Sequence, residues 1–482
     1  MARLRWILPV LAVTFLAALP ARGAGYRPVA GLIDLRTRFS DGQLDPESLA
    51  CLARKRGFRV LFINDHDRMA MEYGIPPLRH LIRKRVERNS INKGGAAAYL
   101  SALRRVAEKH PDMVIIPGSE TAPFYYWTGS YLKGTLTAHD HEKRLLVIGL
   151  ERPEDYRDLP ILHNGFSTRY VTAALPFLLM FLAAFLLGIA LLRGRGRARA
   201  SGIGLCVLSL LFMINTDPFR SSPFDPYHGD RGIAPYQLLI DYVNARGGLV
   251  FWNYPETRSG RRKIGPIFVD TPPHPGVLAQ SRGYTGFAAL YGDTITVTEP
   301  GNLWDWILME YCNGQRARPV WGISTADFHG DGESGEKLGN FVTVFWVPEL
   351  SKQAILFAMR HGRMYACRGK YPQRIILDAF SVSGPGCVTP AISGEEIGLR
   401  GDPVIHISLS SKIPAKKPVR VRLIRSGEVI QAFRATLPMV IDYRDAAYRP
   451  GRKIYYRIDV RGDGALVSNP VFVTFRPPGR PT

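Results

Sequence analysis

Between Val171 and Leu192 the chain runs for 22 residues without a charge. At about 1.5 Å per residue that stretch covers the roughly 30 Å hydrocarbon core of a bilayer. It stops at Arg193-Gly194-Arg195-Gly196-Arg197-Ala198-Arg199, and Ile203–Ile214 is apolar again. An arginine-rich loop between two apolar runs is a cytoplasmic topology signal. The pattern therefore predicts a transmembrane helical hairpin over 169–216. The second run is short, so a buried core helix is its other reading.

The N-terminus carries a second targeting signal. Two arginines, an apolar run from Ile7 to Leu19, and small residues at Ala21 and Gly23 make a secretory signal over 1–23. The globular parts are then expected on the periplasmic or outer face of the cytoplasmic membrane. The five cysteines are widely spaced with no CxxC pair, which excludes a zinc knuckle and a disulfide framework. With 63 Lys+Arg against 41 Asp+Glu the formal charge is +22, which favours an anionic partner or a membrane surface. Nucleic acid is disfavoured by export and by the lack of a binding motif. An apolar share of 46% excludes wholesale disorder.

On both sides of the hairpin, strand-like and helix-like segments alternate. Asp45-Pro46 opens a helix as N-cap and first-turn proline, and Gly57 ends it. Leu78–Arg88 and Ala96–Lys109 read as helices, the first of them basic and amphipathic and suited to lipid headgroups. Gly31–Leu35, Arg59–Ile63, Met113–Pro117, Leu145–Ile148, Gly248–Trp252 and Pro319–Ile323 read as strands. A polar cluster follows most of them, where βα-barrels gather their chemistry. From about Gly369 the texture changes to short runs, several alternating apolar and polar, with Gly-containing turns. That texture predicts an all-β, Ig-like sandwich over 369–482.

The strand-end clusters resemble a known family. Asp34-Leu35-Arg36-Thr37-Arg38-Phe39-Ser40-Asp41-Gly42, then Asn64-Asp65-His66-Asp67, Gly118-Ser119-Glu120 and Asp327-Phe328-His329 follow the motif order of PHP (polymerase and histidinol phosphatase) domains. The resemblance implies a distorted (β/α)7-type barrel, in parts 24–168 and 217–368, that holds divalent metals and hydrolyses phosphate esters. It also implies a metal set of Asp41, His66, Glu120, Asp327 and His329, with Asp65 beside them. Four histidines of the family pattern are replaced here by Arg36, Arg38, Arg144 and Tyr254. Because Glu120 precedes the membrane segment and Asp327 follows it, one barrel requires an even number of crossings.

Guanidinium has no lone pair to give a metal and stays charged at physiological pH. Arg36 and Arg38 alternate on a strand and are expected on one face, in ion pairs with Glu120 and Asp327 that fill the lost metal site. Asp41, His66 and His329 could still hold one Zn²⁺, Mn²⁺ or Fe²⁺; equally, no metal is bound and they form a polar core. His139 and His141 could join a rearranged site, or stand on a solvated loop.

Three functions stay open. One is a silent PHP-like module in which Arg36, Arg38 and Arg144 bind a phosphate-bearing or other anionic ligand. The second is an active metal-dependent phosphoesterase, with Asp65, His66, Arg36 and Arg38 as catalytic candidates. The third is an envelope scaffold or assembly protein acting through the hairpin and the sandwich, where a protein partner would bind.

Overall fold

The computed structural model describes residues 25–293, 295–332, 337–372, 374–413, 418–448 and 451–475; the expected signal over 1–23 lies outside them. Seven strands make the first layer: β1 (Arg27–Leu35), β2 (Val60–Ile63), β3 (Val114–Thr121), β4 (Arg144–Ile148), β5 (Leu249–Asn253), β6 (Gly286–Leu290) and β7 (Trp321–Ser324). They pair in chain order. All pairs are parallel except β3–β4 and β4–β5, so β4 runs against its neighbours. The backbone just after β7 returns to β1, with Ala326 N donating to Ile33 O at 3.0 Å and Arg36 N to Phe328 O at 2.9 Å. The seven strands thus form a strongly curled, half-barrel sheet whose far end returns to β1 through the isolated bridge of Leu35 with Phe328. β2, β5 and β6 are buried along their whole length, as near-continuous apolar runs covered on both faces must be.

Helices cover the barrel largely where the sequence pattern puts them. Pro46–Lys55 is capped by Asp45, whose carboxylate accepts from Ser48 N at 2.9 Å. Ala96–Lys109, Ala234–Asn244 and Lys352–His361 match the helical periodicity. The segment Leu78–Arg88 does not form the expected helix. It makes a turn followed by the strand Arg83–Glu87, antiparallel to Ala70–Gly74. A helix would stack Arg79 on Arg83 and Lys84 on Arg88, like charges at i,i+4. As a strand, Arg83 instead reaches the buried Glu72 at 3.0 Å.

Two further strands, β8 (Phe341–Val347) and β9 (Met364–Arg368), carry the barrel sheet onward. β8 pairs with the first half of β1, and β9 with Gly464–Ser468 of the C-terminal region. That region is all-β, with Ile375–Ser383, Val404–Ser411 and Met439–Arg444 in a second sheet. One sandwich sheet is thus continuous with the barrel wall.

Among the described residues, Val171–Leu191 and Arg197–Asn215 are the two helices long and apolar enough to cross a membrane, and both are mostly exposed. The second begins inside the arginine run, so it is longer than its apolar core of Ile203–Ile214. The two pack on each other where glycines permit it: a Cβ on Gly188 would lie 2.6 Å from Cys206 Sγ, and one on Gly202 2.8 Å from Gly188 O. Small residues at a helix crossing of this kind let backbones approach closely.

Two half-buried histidines outside the barrel mouth, His163 and His274, tie stability to pH. Burial, then Arg85 and Arg83, pull the His163 imidazole down to about 3, and burial pulls His274 down to about 4. Unfolded, each titrates near its ordinary value of about 6.5. Below that pH the unfolded state binds more protons, so stability is full above it and falls as pH drops toward 3–4. The slope is up to about 1.4 kcal/mol per pH unit for each group. Asp34 and Asp67, which burial raises to about 6 and about 7, act in the opposite direction, so the readout is a difference: between pH 7 and pH 5 the parent's denaturant midpoint should fall relative to that of His163→Gln. A gap between the two that stays constant over that range would contradict this.

Candidate functional site

The C-terminal ends of the barrel strands bring six polar groups together. β1 supplies Asp34, held at a φ of 71°, where its register against β2 is irregular. β3 supplies Glu120. Because β4 is antiparallel, its first residue, Arg144, stands at the same end. β5 ends in Asn253 followed by Tyr254, at φ 47°, and the loop after β7 carries Asp327, at φ 46°. Non-glycine residues with positive φ are uncommon and concentrate where side chains must be aimed.

Arg36 lies in the middle, fully buried. Its Nη1 is 2.7 Å from Asp34 Oδ1, and its Nη2 is 2.6 Å from Glu120 Oε2 and 3.3 Å from Asp327 Oδ1. Nη1 also donates to the carbonyl of Asn64. Arg144 Nη1 approaches the same Glu120 oxygen at 2.6 Å. Asn253 Nδ2 donates to Glu120 Oε1 at 2.6 Å and to Asp34 Oδ2 at 2.9 Å, and the Tyr254 hydroxyl donates to Asp34 Oδ2.

The two buried carboxyls respond differently. For Glu120, burial raises the pKa, but Arg144, Arg36 and His66 override it and hold the group well below the usual carboxylate range. For Asp34, burial is the largest effect and outweighs Arg36, leaving it raised to about 6. Burial likewise pushes the Tyr254 phenol well above its ordinary value, which keeps it a donor.

Arg38 does not join this cluster. β1 ends at Leu35, so the strand alternation that would put Arg38 beside Arg36 has already stopped. Arg38 is exposed, and its Nε donates to Gln43 O at 2.8 Å. Asp65 turns the other way as well. It accepts from Thr37 N at 2.7 Å, Thr37 Oγ1 at 2.6 Å and Ser40 Oγ at 2.6 Å, holding the loop that presents Asp41.

The remaining three candidates meet at one oxygen. Asp41 Oδ2 is 3.3 Å from His66 Nε2 and 3.4 Å from His329 Nε2, and His66 Nδ1 is 3.4 Å from Glu120 Oε2. Burial, then Arg144 and Arg36, lower the His66 pKa. His139 and His141 lie elsewhere. His139 stacks on Tyr126 at 4.9 Å and bonds Thr128 Oγ1 at 2.7 Å, while His141 is 3.7 Å from Glu142.

The residues present fit metals unequally. Where Glu120 and Asp327 would share a cation, the guanidinium of Arg36 already occupies the space between them and repels divalent charge. At Asp41 the donor types suit one metal, and His66 Nε2 is a buried atom with no hydrogen-bond partner. Among the described residues, however, Glu47, Cys51 and His110 form the group whose three ligand atoms all lie within 4.8 Å of one another. The Asp41, His66 and His329 donors are spread more widely than one ion needs.

Asp34, Asn64 and Asn253 were not singled out by sequence reasoning. Asp34 had a visible signal, two residues before an arginine that needs a counter-charge, and Asn253 stands beside the Tyr254 substitution.

No family model matches the sequence, and no curated protein matches it. Several solved structures align with the chain, two of them as follows. One is a two-domain protein containing a predicted PHP-like metal-dependent phosphoesterase from Bacteroides vulgatus, 11% identical, covering 93% of this chain and 95% of that one at a TM-score of 0.37. The other is a proposed metal-dependent phosphoesterase from Bifidobacterium adolescentis, 14% identical, covering 64% and 91% at 0.29. Neither likeness bears on the chemistry of the site.

Proposed function

We propose that this chain is an exported, membrane-anchored PHP-like barrel protein without phosphoesterase turnover, retained as an anion-binding or interaction module. The observation that carries this reading is Arg36: a fully buried guanidinium in ion pairs with Asp34, Glu120 and Asp327. A fixed protein cation there does electrostatically what bound metal does in the family, but supplies no Lewis acid and no metal-activated water. Arg36 is enclosed, so an anionic ligand would meet Arg144, which is partly exposed, and Arg38 at the rim.

A second reading keeps weak metal-dependent hydrolysis through Asp41, His66 and His329. It is favoured by the donor set, in which His66 Nε2 and His329 Nε2 both face Asp41 Oδ2, at 3.3 and 3.4 Å. A metal held there would supply Lewis acidity; His66 and His329 would bind as neutral imidazoles, and Arg144 would orient a phosphoryl oxygen.

The test is to purify the full chain in detergent, quantify bound metal, and assay a generic phosphodiester with and without Mn²⁺. Metal well below one ion per chain, no turnover, and a melting temperature that rises with phosphate are expected. Stoichiometric metal with turnover lost in His66→Ala would overturn the silent reading.

A further inference from the structure

The hairpin Ala70–Gly74/Arg83–Glu87 and its turn lie at the barrel-side end of the two apolar helices. His80 N donates to Asn215 Oδ1 at 2.9 Å, and Asn215 Nδ2 donates to Pro77 O at 3.3 Å, so the turn is bolted to the last residue of the second helix. On the other side of that end, Ser167 N donates to Phe219 O at 2.8 Å, and the rings of Phe166 and Phe219 stack at 4.8 Å. Phe166 is 69% exposed, Ile75 56%, Ile82 53% and Val86 56%. Exposed apolar side chains therefore gather where the apolar helices meet the globular part.

The same element is strongly basic. Arg79 is held over the Tyr227 ring at 4.2 Å. Arg83 and Arg85 face Glu72 and Glu87. Lys84, next to Val86 on the opposite strand face, and Arg88 are exposed and without an ion-pair partner among the described residues. Apolar tips flanked by unpaired cations, level with the end of a membrane-spanning helix, match a surface that enters the headgroup layer.

We propose that this hairpin is a peripheral membrane contact. Ile75, Leu81 and Ile82 enter the acyl boundary of the bilayer that the helices cross, while Lys84 and Arg88 meet anionic phospholipid headgroups. The inference rests on the membrane-spanning reading of Val171–Leu191 and Arg197–Asn215. It fixes the barrel against the membrane at a third point, and leaves lipid composition able to bias how the site is presented.

The test uses the full chain reconstituted in vesicles of phosphatidylcholine and phosphatidylglycerol with brominated acyl chains, which quench nearby tryptophan. Ile82→Trp should add blue-shifted fluorescence that bromolipid quenches, relative to the parent. Val440→Trp, on the sandwich and 63% exposed in the parent residue, should not be quenched. Leu182→Trp, within the first helix, is the reference. Quenching at Leu182→Trp but not at Ile82→Trp overturns this inference alone. Quenching at neither overturns the membrane reading beneath it. Omitting phosphatidylglycerol should reduce the Ile82→Trp quenching by about twofold or more; equal quenching would overturn the role given to Lys84 and Arg88.

Discussion

Arg36→Met should lower the unfolding free energy of the chain by about 3–5 kcal/mol. Methionine has a similar reach, so the loss is of charge and hydrogen bonds rather than of volume. Removing the guanidinium leaves Asp34 and Glu120, both fully buried, facing Asp327 with one cation fewer. Asp34 would take up a proton, since burial already holds it near 6, and part of the cost is thereby relieved. Glu120 keeps Arg144 at 2.6 Å and stays ionised. Because Glu120 pairs with both arginines, Glu120→Gln and Arg36→Met together should lose less than the sum of the two single variants, a coupling that only interacting groups show. The reading is the urea midpoint of the detergent-solubilised chain for the parent, both single variants and the double variant. A parent-like midpoint in Arg36→Met would remove the idea that the guanidinium fills a metal position. Arg36→His extends the same argument: Mn²⁺ should raise its melting temperature through binding to the folded state and leave the parent unchanged.

The barrel was readable because its strands are short, apolar and followed by polar clusters; β2, β3 and β5 fall within a residue or two of their apolar runs, except that β3 extends through Glu120. β6 was missed because Gly286–Leu290 is small-residue rich and has no distinctive end. β8 was missed because Phe341–Val347 is buried throughout and apolar but for Thr343, and periodicity alone does not separate such a run from a buried helix segment; its strand length and β-branched and aromatic content were the available signal. The basic segment at Leu78–Arg88 failed for a physical reason, since apolar spacing ignored the repulsion of stacked cations. At the site, the pairing of Arg36 with Glu120 and Asp327 follows from chemistry, as an enclosed arginine among carboxylates has few alternatives. Arg38 was misplaced because alternation holds only within a strand, and where β1 stops depends on the backbone returning from β7. Asp65 was misplaced for a related reason: its partners, Thr37 and Ser40, lie in that same loop.

A second buried pair, far from the barrel mouth, should matter as much as the first. Asp305, near the start of the helix Leu303–Cys312, meets Arg457 of the sandwich strand Ile454–Gly462. Arg457 Nε is 2.7 Å from Asp305 Oδ1 and its Nη2 is 2.6 Å from Oδ2, a two-pronged contact. Tyr455 Oη adds a bond at 2.7 Å and Gly301 N one at 2.8 Å, so each carboxylate oxygen accepts twice. Both charges are at most 1% exposed. Burial lowers the Arg457 pKa but Asp305 outweighs it, so the guanidinium stays charged. Asp305→Ala strands that charge and should cost about 3–5 kcal/mol. Arg457→Met strands the carboxylate, which keeps its bonds from Tyr455 Oη and Gly301 N and should cost less. The double variant should lose less than the sum of the singles. Because the pair joins barrel to sandwich, protease susceptibility of the Arg368–Pro372 connection should rise in Asp305→Ala at denaturant concentrations where the parent resists. Additive losses in the double variant, or an unchanged cleavage rate, would show that the continuous sheet through β8 and β9 holds the two parts together without it.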